Sequence, residues 1–203
     1  MKVKYSDLKD KRIFITGGGS GIGASIVEHF CEQESEVYFV DINVKDSKKL
    51  LNSIKKNNFR SPKFIECNLL NVQKLQKIIK NIVSTNGSIQ VLVNNAANDD
   101  RHDTKQVDEK YWENRMSINL KHYFFASKAV INGMIKNNSG VIVNLSSVSW
   151  MLGEGDKVVY ETAKSAVVGL TRSFAQEFGK YNIRTNSIMP GSIATERQIK
   201  HWL

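Results

Sequence analysis

Short apolar runs alternate with helix-patterned segments along the whole chain, and few folds accept that order. Arg12–Thr16, Glu36–Asp41, Lys63–Cys67, Ile89–Asn94, Val141–Ser146 and Ile183–Ile188 read as strands. Between them, Gly21–Gln33, Lys45–Asn57, Val72–Ser84 and Val158–Lys180 read as helices, with two further helical stretches at Asp108–Leu120 and Lys121–Lys136. In Val72–Ser84 the apolar residues Val72, Leu75, Ile78, Ile79 and Ile82 fall at helical spacing and share one face. Strands such as IQVLVN show no polar alternation, so both of their faces must be covered. Strands joined through helices form βαβ units, and right-handed crossovers restrict these to a parallel, doubly wound α/β sheet. Pro62 and Pro190 fall at strand boundaries, where a missing N–H is tolerated. No repeat, linker or low-complexity tract interrupts the pattern, so one domain over residues 1–203 is expected.

The formal net charge is +9. Such a surplus would suit a nucleic acid or an anionic membrane surface. Lysine far outnumbers arginine, however, and the lysines are scattered over many segments rather than gathered in one stripe. A nucleic-acid partner is therefore not expected. No apolar run approaches the roughly 20 residues of a membrane span. The start, MKVKYSDLKDKR, has no apolar segment that could serve as a signal peptide. A soluble cytoplasmic protein without a membrane partner is expected. Cys31 and Cys67 form no CxxC pair and have no histidine at ligand spacing, so they read as reduced thiols and no metal site is expected.

The first strand runs into Thr16-Gly17-Gly18-Gly19-Ser20-Gly21-Ile22-Gly23. Glycines let the backbone turn sharply and approach a pyrophosphate, and the helix that follows offers free N–H groups to that anion. A glycine pattern alone is weak; its place between strand and helix in the first βαβ unit strengthens it. The second strand ends in Asp41, about where a ribose-binding acid belongs. Its carboxylate can accept hydrogen bonds from both adenosine ribose hydroxyls and would repel a 2′-phosphate. NAD is expected over NADP.

Tyr160 and Lys164 stand at i and i+4 on the long helix and share a face. A nearby ammonium favours the phenolate, lowers its pKa and makes the tyrosine a usable general base. Tyr5 and Lys9 have the same spacing, so the pair means little by itself. What distinguishes the later pair is Ser147 at the end of the fifth strand, at the carboxyl edge where ligands of doubly wound sheets bind. Ser147 and Tyr160 are expected to converge on one substrate oxygen.

With these residues in view the sequence resembles the short-chain dehydrogenase/reductase family over essentially its whole length. The family's TGxxxGxG appears as TGGGSGIG, its NNAG as Asn94-Asn95-Ala96-Ala97, its catalytic asparagine as Asn119 in SINL, its serine as Ser147 in NLSS, its YxxxK as Tyr160 and Lys164, and its PG as Pro190-Gly191. The resemblance implies a Rossmann-type fold and hydride exchange between a carbinol and a nicotinamide cofactor. It implies that Gly17, Ser20, Gly21, Ile22 and Gly23 hold the cofactor phosphates and that Asn68 and Leu69 border the adenine. Asn95 and Ala96 would lie along the cofactor, Tyr160 and Lys164 would touch it, and Pro190, Ile193 and Thr195 would bind beside the carboxamide. Asn119 would support a water-filled proton relay behind Lys164. Asn68 stands where an aspartate is common, and Ala97 replaces the last glycine of NNAG. Family members usually continue to a last parallel strand and a VDGG-like segment. This chain ends at His201-Trp202-Leu203, so a fragment or truncated form, lacking the expected seventh strand, is expected.

The walls expected of a substrate site are polar: Asn98, Asp99 and Arg101 after the fourth strand, Trp150 and Glu154 after the fifth, and Gln198 after PG. Many paired donors and acceptors suit a polyol, and an indole can stack on the apolar face of a sugar. The strings NDDRH, SSVSW, YETAK and TERQ resemble NAD-dependent sugar 1-dehydrogenases of the family, of the D-xylose 1-dehydrogenase and galactose dehydrogenase type. On that resemblance Tyr160 takes the proton of an anomeric hydroxyl, Ser147 holds the reacting oxygen, Lys164 tunes Tyr160, and the product is an aldonolactone. The full-length form is expected to be a homo-oligomer, a tetramer by family resemblance. A 3-oxoacyl-carrier-protein reductase-like member and an inactive NAD-binding protein are the alternatives. His102 reads as loop structure, and His29, His122 and His201 mark no site.

Overall fold

The computed structural model describes residues 3–201, so Trp202 and Leu203 at the chain's end lie outside the described residues. Strands β1 (Arg12–Thr16), β2 (Glu36–Asp41), β3 (Lys63–Glu66), β4 (Val91–Asn94), β5 (Gly140–Leu145) and β6 (Ile183–Ile188) form one sheet in the order β3-β2-β1-β4-β5-β6. Every neighbouring pair is parallel. The chain moves outward from β1 through β2 to β3 and then returns to the other side of β1. That reversal opens a crevice at the carboxyl ends of β1 and β4.

The helices are α1 (Gly21–Glu32), α2 (Val44–Lys56), α3 (Val72–Asn86), α4 (Glu109–Met116), α5 (His122–Lys136), α6 (Ser149–Leu152), α7 (Val158–Phe178) and α8 (Glu196–His201). Successive strand residues point to opposite faces, so each apolar strand feeds two cores at once. Phe14, Leu92 and Ile142 pack with Leu75 and Ile79 of α3 and with Val130 and Met134 of α5. Ile13, Ile15, Phe39 and Val93 pack on the other face with Val27 of α1 and Ile54 of α2. This explains why the strands read as unbroken apolar runs. Truncating a residue such as Phe14 to alanine would cost about 3–5 kcal/mol. Cys31 lies in one core and Cys67 in the other, both as free thiols, and burial pushes Cys31 up to about 12.

Strand ends and helix caps fall within a few residues of expectation. Asn43, Asn71 and Asp108 each cap a helix by accepting an N–H from the first turn. Two features differ. The stretches at 108–120 and 121–136 are one continuous helical run, because α4 and α5 are joined by a single π-turn at Ser117–Lys121 rather than by a break. After β5 the chain forms the short helix α6, which the sequence pattern did not indicate.

A chain of buried amides links the middle of the sheet to its helices. Asn94 and Asn144 are register partners on β4 and β5. Asn94 Nδ2 donates to Asn144 Oδ1 at 2.8 Å and lies 3.2 Å from Ser127 Oγ on α5. Asn144 Nδ2 donates to Thr171 Oγ1 on α7 at 3.0 Å. All four side chains are buried.

Candidate active site

The loop between β1 and α1 is held by neighbours on both sides. Buried Thr16 accepts the N–H groups of Asn95 and Ala96 on its hydroxyl, at 3.0 and 3.2 Å. Asn95 returns its Nδ2 to the carbonyls of Thr16 and Gly17, at 3.2 and 2.8 Å. Gly17 has φ +67°, a conformation that favours glycine, and a Cβ there would stand 2.7 Å from Ala96 Cα. A Cβ on Gly23 would meet the Gly17 carbonyl oxygen at 1.9 Å. Gly21, with φ +52°, faces Thr195, whose Cγ2 would stand only 3.3 Å from a Cβ there. Ser20 precedes α1 and its hydroxyl makes no capping bond, and the first-turn N–H groups of α1 lack intrahelical acceptors. A bare helix start beside glycines that no side chain could replace fits the pyrophosphate of a dinucleotide. Asp41 accepts the Gly19 N–H on one carboxylate oxygen and the Asn43 N–H on the other, both at 2.8 Å. Its carboxylate is thereby fixed beside the loop.

From this loop a cleft of about 390 Å³ runs along the carboxyl ends of the strands. Ile22, Asn95, Ser147, Tyr160, Lys164, Pro190, Ile193 and Thr195 line it, as do Asp99, Arg101, Glu154 and Gln198. Segments far apart in sequence thus meet in one space.

Burial dominates the electrostatics. It pushes Tyr160 up to about 12, against the Ser147 hydroxyl, whose hydrogen bond lowers it, and with the Asp99 and Glu154 carboxylates, which raise it further. Burial likewise brings Lys164 down to about 7, opposed by the Asp99 charge. The expected lowering of Tyr160 by Lys164 is therefore not what the structure shows. Lys164 Nζ lies 5.6 Å from the Tyr160 ring centroid, and its hydrogen bonds go to Tyr123 Oη at 2.8 Å and the Leu145 carbonyl at 2.6 Å. Ser147 Oγ also accepts the Ser149 N–H at 3.2 Å, which fixes the hydroxyl at the turn into α6.

Not every candidate residue lines this cleft. Asn119 is buried in the π-turn and does not line the cleft. Its Oδ1 accepts the Asn98 N–H at 2.8 Å and its Nδ2 donates to the Asn98 carbonyl at 3.0 Å. The side chain thus splints the extension of β4. Asn98 is committed to that pairing and is not on the cleft wall, and Trp150 in α6 does not line it either. Asn68 is exposed and accepts the Leu70 N–H in a local turn, whereas Leu69 is buried in the core. Asp99 and Gln198 reach the cleft but hold each other: Gln198 Nε2 donates to Asp99 Oδ2 at 2.8 Å. Arg197 pairs with Asp99 and Asp100, so α8 is tied to the loop after β4. Arg101 pairs with Asp156 at 3.1 Å, and Glu154 with Lys157. His102 bonds the Tyr111 hydroxyl and acts as loop structure. Ser146, which ties β5 to α7 by donating to the Lys164 carbonyl at 2.7 Å, and Tyr123 belong to the site's framework and were not anticipated. The position of Tyr123, four residues after Asn119, was the local hint available.

A model of the short chain dehydrogenase family matches residues 11–202, and the chain belongs to that family. It is thus of an oxidoreductase family that uses a nicotinamide cofactor. A protein named probable galactose dehydrogenase from Rhizobium meliloti is 42% identical over 200 residues, spanning 98% of this chain and 78% of the relative. The D-xylose 1-dehydrogenase of Caulobacter vibrioides is 42% identical over 198 residues, with the same coverages. Among solved structures, the aldohexose dehydrogenase of Thermoplasma acidophilum in ligand-free form superposes with a TM-score of 0.84 at 32% identity, covering 97% of this chain and 72% of that one. Among the described residues no helix is long and apolar enough to cross a membrane.

Proposed function

We propose that this chain oxidises the anomeric hydroxyl of an aldose to an aldonolactone, with NAD bound along the loop Gly17–Gly23 supplying the hydride acceptor. The observation that carries the reading is the convergence of Ser147, Tyr160 and Lys164 on a cleft whose outer wall holds Asp99, Arg101, Glu154 and Gln198. A wall of charged and amide groups suits a polyol, and the sugar dehydrogenases among its relatives support the same class. Ser147 donates a hydrogen bond to the reacting oxygen and Tyr160 takes its proton. Tyr160 takes that proton as the phenolate and ends as the neutral phenol; the Lys164 ammonium stabilises the phenolate beforehand, and burial keeps bulk water from competing for the charge. The Asn119 side chain contributes by fixing the backbone at Asn98. Asp41 at the end of β2 supports NAD over NADP, since a 2′-phosphate would meet a carboxylate.

In this reading the chain is one nicotinamide-binding domain that works in the cytoplasm as a homo-oligomer, a tetramer by the family's habit. The test is NADH formation, followed by absorbance, with NAD and a panel of pentoses and hexoses. One or two sugars should react. Tyr160→Phe should lower kcat by about 10²- to 10⁴-fold while NAD affinity stays within a few-fold. Turnover of no aldose, together with oxidation of other secondary alcohols, would refute the sugar assignment.

A further inference from the structure

The site contains a buried hydroxyl that the proposed mechanism leaves without a role. Tyr123 lies on α5, fully buried, with its ring tilted against that of His122 at 4.5 Å between centroids. Its Oη accepts from Lys164 Nζ at 2.8 Å and stands 3.0 Å from the Leu145 carbonyl and 3.3 Å from the Ala96 carbonyl. It has one proton to donate, and both carbonyls compete for it. Its lone pairs are therefore turned to the amine. The phenol bridges the ends of β4 and β5 and the middle of α7 at the point where the amine must be held.

We infer that Tyr123 is a positioning residue, whose buried phenol oxygen, together with the Leu145 carbonyl, holds the Lys164 amine in place for Tyr160. The role rests on the functional reading above only insofar as Tyr160 accepts the proton. Tyr123 has no route to carry a proton onward: its own surroundings are two carbonyls, and burial holds it well above the usual tyrosine range. It is a clamp on the amine. The groups that face Lys164 are Tyr160 on its own helix, Tyr123 and His122 on α5, and Asp99 from the loop after β4. His122 is pushed down to about 3, chiefly by burial, and stays neutral through the working range. The Tyr123 oxygen is thus the side-chain acceptor bonded directly to the amine.

The test uses Tyr123→Phe, which removes one oxygen and keeps the ring. In the cofactor-free protein carrying isotope-labelled lysine, the Lys164 amine should titrate about one pH unit lower than in the parent, because the ammonium loses an acceptor. In turnover with the sugar identified above, the acid limb of the kcat profile should move to lower pH by the same amount. The kcat plateau should fall about tenfold, with KM for sugar and NAD within about twofold. A Lys164 titration and acid limb unmoved in a variant that only melts earlier would overturn the inference, since that is the behaviour of a residue that merely fills space. If the parent oxidises no aldose, the function reading fails and the cofactor-free titration still decides the clamp. If the variant does not fold, the parent with labelled tyrosine rings decides it. The Tyr123 Cζ resonance must move as Lys164 loses its proton, and a resonance that stays still refutes the contact.

Discussion

Gly23→Ala is the substitution for which the structure gives the sharpest arithmetic. The added Cβ would stand 1.9 Å from the Gly17 carbonyl oxygen, 2.5 Å from Asn95 Nδ2 and 2.9 Å from the Gly17 carbonyl carbon. A normal C···O approach is about 3.3 Å, so loop and helix must separate by roughly 1.4 Å. Two of these atoms are backbone, and the third is the amide that joins loop to strand, so no flexible side chain can absorb the shift. The separation breaks the Asn95 hydrogen bonds to Gly17 and Thr16, at about 0.5–1.5 kcal/mol each. Overpacking adds about 1–3 kcal/mol. The sum is about 2–6 kcal/mol, which in a chain of this size lowers the melting temperature by roughly 4–24 °C. Thermal unfolding followed by circular dichroism reads this directly, and NAD titration of the folded variant should show affinity reduced at least tenfold. A variant that melts within 2 °C of the parent, by an order-of-magnitude allowance for error, and binds NAD equally well would refute the claim that this contact sets the geometry of the loop.

Two further outcomes follow from the charges. The folded state releases the Lys164 proton near pH 7, whereas the unfolded lysine keeps it to about 10.5, so between these values the unfolded chain binds more protons and stability climbs with pH. From pH 7 to 9 the parent should gain about 2 kcal/mol in denaturant unfolding relative to Lys164→Met, and equal slopes for the two proteins would contradict this; above pH 9 the parent's own curve flattens, since burial keeps Cys31 protonated to about 12 and offsets the Lys164 gain. At the cofactor end, Asp41→Ala should raise the NADP-to-NAD ratio of kcat/KM by about tenfold or more, checked by steady-state kinetics with both cofactors, and an unchanged ratio would remove Asp41 from cofactor choice.

The sheet was legible because its evidence is local. Runs such as VLVN and EVYFVD, and the glycines after Thr16, carry their meaning within a few residues. Ser147, Tyr160 and Lys164 were legible through spacing and resemblance, and the cleft unites them. What the chain hid depends on distance. Gln198 and Asp99 satisfy each other across 99 positions, and Lys164 meets Tyr123 across 41, and no local pattern announces either pairing. The π-turn at Ser117–Lys121 adds one residue to a helix and shifts its phase, so one helix read as two. Trp150 looked suited to stacking on a sugar, but it falls in α6, a short helix the sequence pattern did not indicate, and does not line the cleft. Burial reversed the expected electrostatics: an i, i+4 spacing places Lys164 near Tyr160 but does not reveal how far both are withdrawn from water.

The amide chain through Asn94, Asn144 and Thr171 bears on how the sheet reaches its final alignment. β4 and β5 are aliphatic over most of their length, and sliding one past the other by two residues would leave every apolar side chain on its proper face. Hydrophobic burial alone hardly distinguishes the slipped arrangement from the native one. The asparagines do. Any slip parts Asn94 from Asn144 and strands two amides in the dry centre, at about 1–3 kcal/mol for each unmet group. The pair therefore favours the native register, because only there does Asn94 Nδ2 meet Asn144 Oδ1 between oily neighbours.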